Sequence, residues 1–335
     1  MDVRSKASSL AIILFICFAT AAGAQVAHSA RVPQFQHVFV LVEENETYDK
    51  VIGNTADMPY LNSLANNYGL ATNYFADTHP SINNYFYLTS GRKGTGFLFY
   101  GVAADLYPFD VDVPNIASIL TKYGRTWKSY AESLPHAGYI GGNKKGYAKR
   151  HDPFAYYESV RDNKDQRKNI VPFKQLQKDI KDDKLPDFGF IVPNIYDDAH
   201  NDPPGGETGI APCGDHPAMQ QADKWLKENI GPLIDSPPFA NSLLIITFDE
   251  ACATGPDGDW RFSPQDKRRD GGGHVATILI SPRIKPGTRS NELYHHESVL
   301  RTALEVLGID EFPGRAAHAR SMSEFFTATP NPKGK

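Results

Sequence analysis

The chain has 335 residues, with 35 Lys and Arg against 39 Asp and Glu, for a formal net charge of −4. That mild acidity argues against a protein held to nucleic acid by a basic surplus. The length is enough for one large core, and three cysteines are too few for a disulfide scaffold.

Residues 1–24 read as a leader: Arg4 and Lys6, then the apolar run LAIILFICFATAA, then Ala22-Gly23-Ala24. The run is short for a membrane span, so cleavage near Ala24 and export to a secreted or periplasmic location are expected. An uncleaved N-terminal anchor is the competing reading. Loss of the leader removes Cys17 and leaves Cys213 and Cys252, free to pair or to stay apart. Residues 25–335 are expected to form a single domain, with its core at about residues 37–325.

Residues 38–42 (VFVLV) have the apolar, β-branched character of a strand buried on both faces. Leu61, Leu64 and Ala65 mark a helix over 59–68, and 69–76 read as a strand that leads into THPSINNY, residues 78–85. Ser81 falls in a turn, and 82–91 continue as a helix. Ile116, Ile119 and Leu120 predict a helix over 115–123, after which the Lys-, Tyr- and Asp-rich segment 138–183 reads as an excursion over a sheet edge. Strands follow at 187–193, 243–248 and 275–280, with helices at 218–230 and 296–307, the last stopped by Gly308. The tail 327–335 is expected to fray. Buried strands alternating with helices predict an α/β domain with a mostly parallel central sheet flanked by helices.

In such sheets ligands bind beyond the carboxyl ends of the strands. Glu43, Glu44 and Asn45 follow the first strand, and Asp197, Asp198 and His200 follow the strand at 187–193. Asp249 and Glu250 follow that at 243–248, and His274 precedes the strand at 275–280. Carboxylates gathered at one edge repel unless a cation sits among them. Oxygen ligands with a few imidazoles and no thiolate pair suit Mg²⁺, Mn²⁺, Ca²⁺ or Zn²⁺, at one site or two. A hydroxyl at a strand-to-helix junction, Ser81, is the natural nucleophile beside such an ion. Asn84 and the free amides of the helix start would hold phosphate oxygens. The bland reading of Ser81 is an N-cap. Tyr85, Phe86, Tyr87 and the segment 97–107 suit an apolar rim for a lipid or, more simply, core packing.

The blocks HVFVLVEENETYDKVIG, FADTHPSINNYFYLTSG, FGFIVPNIYDDAHN, LLIITFDE, GGGHVATILISPRIKPGT and YHHESVLRTALEVLG stand in the order found in the phosphoesterase family. The chain resembles that family from about His37 to Ile309. Bacterial acid phosphatases and phospholipases C belong to it, within the alkaline-phosphatase-like superfamily. Its compactness and the block GYAKRHDPF, residues 146–154, are most similar to the short secreted acid phosphatases of the phosphatidylinositol-3-phosphatase type. Many relatives carry Pro where this chain has Asn83. His274 before Val275 departs from the Arg-Val of the phospholipase branch.

The resemblance implies an alkaline-phosphatase-like fold and a metal-dependent phosphomonoesterase working through a phosphoserine on Ser81. Glu44, Asn45, Asp249 and Glu250 match the family's metal ligands, which the Ser81 oxygen completes. Asn84 matches the amide that contacts the substrate phosphate. His200 with Asp197 or Asp198, and His274, resemble a second cluster that binds either another metal or phosphate. His79 and His151 lie in family-like blocks as candidates for phosphate binding or leaving-group protonation, while His295 and His296 divide evenly between site and core. The implied substrate is a small phosphomonoester or a phosphoinositide such as phosphatidylinositol 3-phosphate. At most peripheral membrane contact, no nucleic acid and a monomer are expected. The alternatives are a phospholipase C-type phosphodiesterase and a non-catalytic secreted protein that binds metal or phosphate.

Overall fold

Apolar, β-branched runs with no polar interruption form the middle of the sheet. β1 (His37–Glu43), β5 (Phe188–Val192) and β6 (Ser242–Phe248) are buried along nearly their whole length. β1 lies between the other two in parallel register, Val40 opposite both Phe190 and Ile245. Burying each such aliphatic side chain contributes roughly 1.5–3 kcal/mol, which makes these three strands the centre of the core. Gly189 belongs to this packing, since a Cβ there would stand 2.4 Å from the Phe39 ring.

The computed structural model describes residues 32–94, 111–201, 213–214, 216–253 and 271–326. The expected leader, the rim segment 97–107 and the tail lie outside the described residues. β2 (Gly69–Ala71), β3 (Trp127–Ala131), β4 (Ile170–Pro172), β7 (Thr277–Ile280) and β8 (Arg289–Ser290) complete an eight-stranded sheet of order β4-β3-β5-β1-β6-β7-β2-β8 among those residues. β7 runs antiparallel to both β6 and β2, and the remaining pairs are parallel. The expected mostly parallel sheet is therefore present, with β7 running against its neighbours.

Helices cover both faces. α1 (Pro59–Asn67), α4 (Lys174–Lys181) and α5 (His216–Asn229) form one layer, and α2 (Ser81–Ser90), α3 (Ile116–Lys122) and α6 (His296–Val306) the other. Among the described residues no helix is long and apolar enough to cross a membrane.

The sequence reading missed three strands, β3, β4 and the two-residue β8. β3 (WKSYA) carries Lys128, whose ammonium lies 2.5 Å from the buried Asp179 carboxylate, so a polar residue interrupts its apolar pattern. β4 and α4 fall inside the supposed excursion at 138–183, so part of that segment extends the sheet instead of only passing over its edge. The strand expected at 69–76 is ladder only at Gly69–Ala71. Beyond it, Tyr74 and Phe75 make single bridges to Tyr294 and His274.

Candidate active site

The antiparallel placement of β7 has a geometric result: its start lies at the same edge as the ends of β1, β2, β5 and β6. Residues after four strands and before a fifth thus meet at one rim. Backbone bonds join them, with the Glu44 N–H donating to the Asp198 carbonyl at 2.8 Å and the Asp249 N–H to the Glu43 carbonyl at 2.9 Å.

Ser81 is the first residue of α2 and only 7% exposed. Pro80 holds the N-cap position, after a cis His79–Pro80 peptide, and caps nothing with its side chain. The capping role is thereby vacant, and the Ser81 hydroxyl donates instead to Glu44 Oε2 at 3.2 Å. Glu44 accepts two further donors, the Asn45 amide at 2.6 Å and the Tyr85 hydroxyl at 2.6 Å. Asn45 adopts a left-handed backbone, φ +50°, which Asn tolerates better than most residues. Its N–H reaches Asp249 Oδ1 at 3.0 Å, and its side-chain amide also faces His200 Nδ1 at 3.0 Å. Asn84 is fully buried and braces the loop before Ser81. Its Oδ1 accepts the N–H groups of Asp77 and Thr78, and its amide reaches the Thr78 carbonyl at 2.7 Å and Glu250 at 3.2 Å.

Three histidines join this cluster. His79 Nδ1 lies 3.1 Å from Glu250 Oε2. His151 stacks on Tyr85 with centroids 5.3 Å apart, Nε2 3.3 Å from Glu44 and Nδ1 3.9 Å from Asp198. His200 stands 3.9 Å from Glu44, and its N–H donates to Asp198 Oδ1. His274 is held elsewhere on the rim, its ring stacked against Tyr48 and Phe75 and its Nε2 3.1 Å from the Thr72 carbonyl. Asp197 and Asp198 separate: Asp198 stays with Glu44 and His151, whereas Asp197 turns to the Gln221 amide at 2.6 Å.

Burial raises Glu44 to about 6 despite hydrogen bonds from Tyr85 and Ser81 and the charge of Arg150. Burial, and then repulsion from Glu44, pushes Asp249, Glu250 and Asp198 well above the carboxylate range. Burial and the Arg150 charge lower His200 to about 4, leaving it a neutral acceptor for Asn45. Asp249 Oδ2 and Asp198 Oδ2 are buried without a hydrogen-bond partner among the described residues. Such a donor set fits a hard divalent cation, although among the described residues no three His, Cys, Asp or Glu side chains are already gathered to hold one.

The sequence reading misses two contributors and leaves a third open. Tyr85 reads there as one of the apolar residues. Arg150, inside GYAKRHDPF, bears electrostatically on Glu44, Glu250, Asp198, His151 and His200. His296, left open, bonds the Asp249 carbonyl through Nε2 at 2.6 Å and the Tyr74 hydroxyl through Nδ1 at 2.9 Å, fixing the acidic turn from α6. His295 instead bonds the Phe75 carbonyl.

Residues 54–310 match the model of the phosphoesterase family. The phosphatidylinositol-3-phosphatase of Mycobacterium tuberculosis is 28% identical over 299 residues, 89% of this chain and 85% of that protein. A probable acid phosphatase of Kluyveromyces lactis is 29% identical over 83% of this chain, which spans 59% of that protein. A solved alkaline phosphatase superfamily protein from Vibrio parahaemolyticus superposes with a TM-score of 0.56 at 14% identity, covering 83% of this chain and 68% of its own, a likeness of fold.

Proposed function

The chain belongs to the phosphoesterase family and hydrolyses phosphoric esters, and from that premise we propose a divalent-metal-dependent phosphomonoesterase with Ser81 as its nucleophile. One observation carries the reading. A hydroxyl at the start of a helix, released from capping, points at a buried carboxylate cluster with unpartnered oxygens.

Glu44, Asn45, Asp249 and Glu250 would hold the ion. When bound, it supplies Lewis-acid stabilisation of the negative charge on serine and phosphate oxygens. The Ser81 hydroxyl gives up its proton toward Glu44, and its oxygen attacks phosphorus in line. His79, paired with Glu250, donates a proton to the departing alcohol. Water, giving a proton to His79, then cleaves the phosphoserine, and the Glu44 proton returns to the Ser81 oxygen, releasing phosphate and restoring the hydroxyl. Asn45 and Tyr85 orient Glu44, while Asn84 and His296 fix the loop and the acidic turn that flank it. Arg150 adds positive charge where equatorial phosphoryl oxygens gather theirs.

Export is part of the proposal, supported by the Cys213–Cys252 disulfide, which suits an oxidising compartment. A phosphoinositide 3-phosphate is the proposed substrate, supported by the similarity to the mycobacterial phosphatase.

Ser81→Ala protein should retain its circular dichroism and lose p-nitrophenyl phosphate turnover by on the order of 10³-fold or more. Retained turnover would remove Ser81 from the mechanism. Chelation should abolish activity, and re-addition of Mg²⁺, Mn²⁺, Ca²⁺ or Zn²⁺ identifies the ion that restores it. Rates on phosphatidylinositol 3-phosphate, a sugar phosphate and a choline phosphodiester then rank lipid, soluble and diester substrates.

A further inference from the structure

Next to Glu44, β1 ends on another carboxylate. Glu43 is 0% exposed, and among the described residues neither of its carboxylate oxygens has a hydrogen-bond partner. Successive strand residues face opposite ways. Glu44 meets Tyr85 and Ser81 of α2, so Glu43 turns toward the layer of α5.

Two more carboxylates stand on that side. Glu132, just past β3, is gripped at both oxygens, by the Trp225 indole N–H and the Asn194 N–H, each at 3.0 Å. Asp197, beyond β5, takes the Gln221 amide at 2.6 Å. Gln221 and Trp225 lie four residues apart, one turn of α5, and so present both donors together. β5 lies between β1 and β3 in parallel register, Leu41 and Tyr130 both opposite Ile191, so Glu43 and Glu132, each two residues further on, end their strands at the same level. Burial, then Asp197, raises Glu132 to about 7.

We propose that Glu43, Glu132 and Asp197 hold a second, hard divalent cation on the α5 side of the sheet, behind the catalytic centre. An unpaired buried carboxylate is costly, and a cation relieves a cluster of them. Trp225, Asn194 and Gln221 occupy the supporting positions that orient ligating carboxylates in metal sites. The donors are all oxygen, which selects Ca²⁺, Mg²⁺ or Mn²⁺ over thiolate- or imidazole-seeking ions. Because these side chains are not already gathered at ligating distance, the ion draws Glu43 toward its neighbours. Glu132, partly exposed, marks the way in. The bound ion ties together the ends of β1, β3 and β5, from which Glu44, Asn45, Asp198 and His200 project. This site stands whichever group attacks phosphorus.

The test uses the metal-stripped full chain with Asp249→Asn, which weakens the catalytic cluster. Calorimetric titration with Ca²⁺, Mg²⁺ and Mn²⁺, each alone, should show one binding event for at least one ion, accompanied by a rise in Tm. Adding Glu132→Gln should weaken that event at least tenfold and remove the Tm rise; Glu43→Gln should do the same. Glu132 is partly exposed, so its variant keeps the test valid if Glu43→Gln fails to fold. No binding event in the Asp249→Asn protein, or an event unchanged by Glu132→Gln, would overturn the site.

Discussion

Tyr85 shows how far one side chain's role can depart from its composition. In the sequence it is one aromatic among several. In the fold its ring stacks on His151 and its hydroxyl donates to Glu44. Burial, then the charge of Glu44, raises its pKa well above normal, so it remains a donor at any working pH. Tyr85→Phe should keep the packing and lower turnover, or affinity for the proposed metal, about 10- to 100-fold, with Tm nearly unchanged. A lower Tm with unaltered turnover would assign Tyr85 to packing alone. Asp187 offers a pH test away from the site. Burial alone would raise its pKa, but hydrogen bonds from Thr126 and Arg125 hold it below the usual range. A lowered folded-state pKa gives stability that is present above the unfolded value of about 3.9 and is lost as pH falls below it. The Tm gap between wild type and Asp187→Asn should therefore be open at pH 7 and close below about pH 4. A gap that does not change with pH would exclude this carboxylate as its source.

At the scale of elements, α2 carries the proposed nucleophile and both its ends are specified. Pro80 starts it without claiming the Ser81 hydroxyl, and Gly91 ends it at φ +64°, where a Cβ would stand 2.5 Å from the Pro313 carbonyl. Helix α1 is capped from outside. Asp223 of α5 accepts the N–H groups of Tyr60 and Leu61 at 2.9 and 2.7 Å. Asp223→Ala should cost about 1–2 kcal/mol, a cap's worth, or roughly 2–4 °C of Tm per kcal/mol. An unchanged Tm would show the cap to be dispensable. Periodicity alone revealed α1, α3, α5 and α6, because each keeps apolar residues at helical spacing. It failed for β3, β4 and β8, whose short runs include Lys128, Pro172 and Arg289.

Across the whole molecule, the Cys213–Cys252 disulfide closes a loop of 39 residues and anchors the chain just beyond Asp249 and Glu250. Beside it, the Gly214 N–H bonds both carboxylate oxygens of Glu46, just past the Glu44-Asn45 pair. Loop-closure entropy puts the stabilisation at about 4 kcal/mol. Reduction, or Cys213→Ser, should lower Tm by several degrees and reduce turnover. If reduction alters neither, the bridge contributes nothing to the site.

The sequence by itself determined the layered α/β architecture, the strand ends where polar residues cluster, and the place of Ser81 between a strand and a helix. Each of these follows from local periodicity and from the need to bury apolar runs. Only the tertiary structure decided which face each carboxylate takes: Glu44 toward Ser81 and Glu43 away from it, Asp198 toward His151 and Asp197 toward Gln221. The period of two along a strand is legible in sequence. Which side of the sheet a given residue meets depends on the helices packed against that side, and those come from far along the chain.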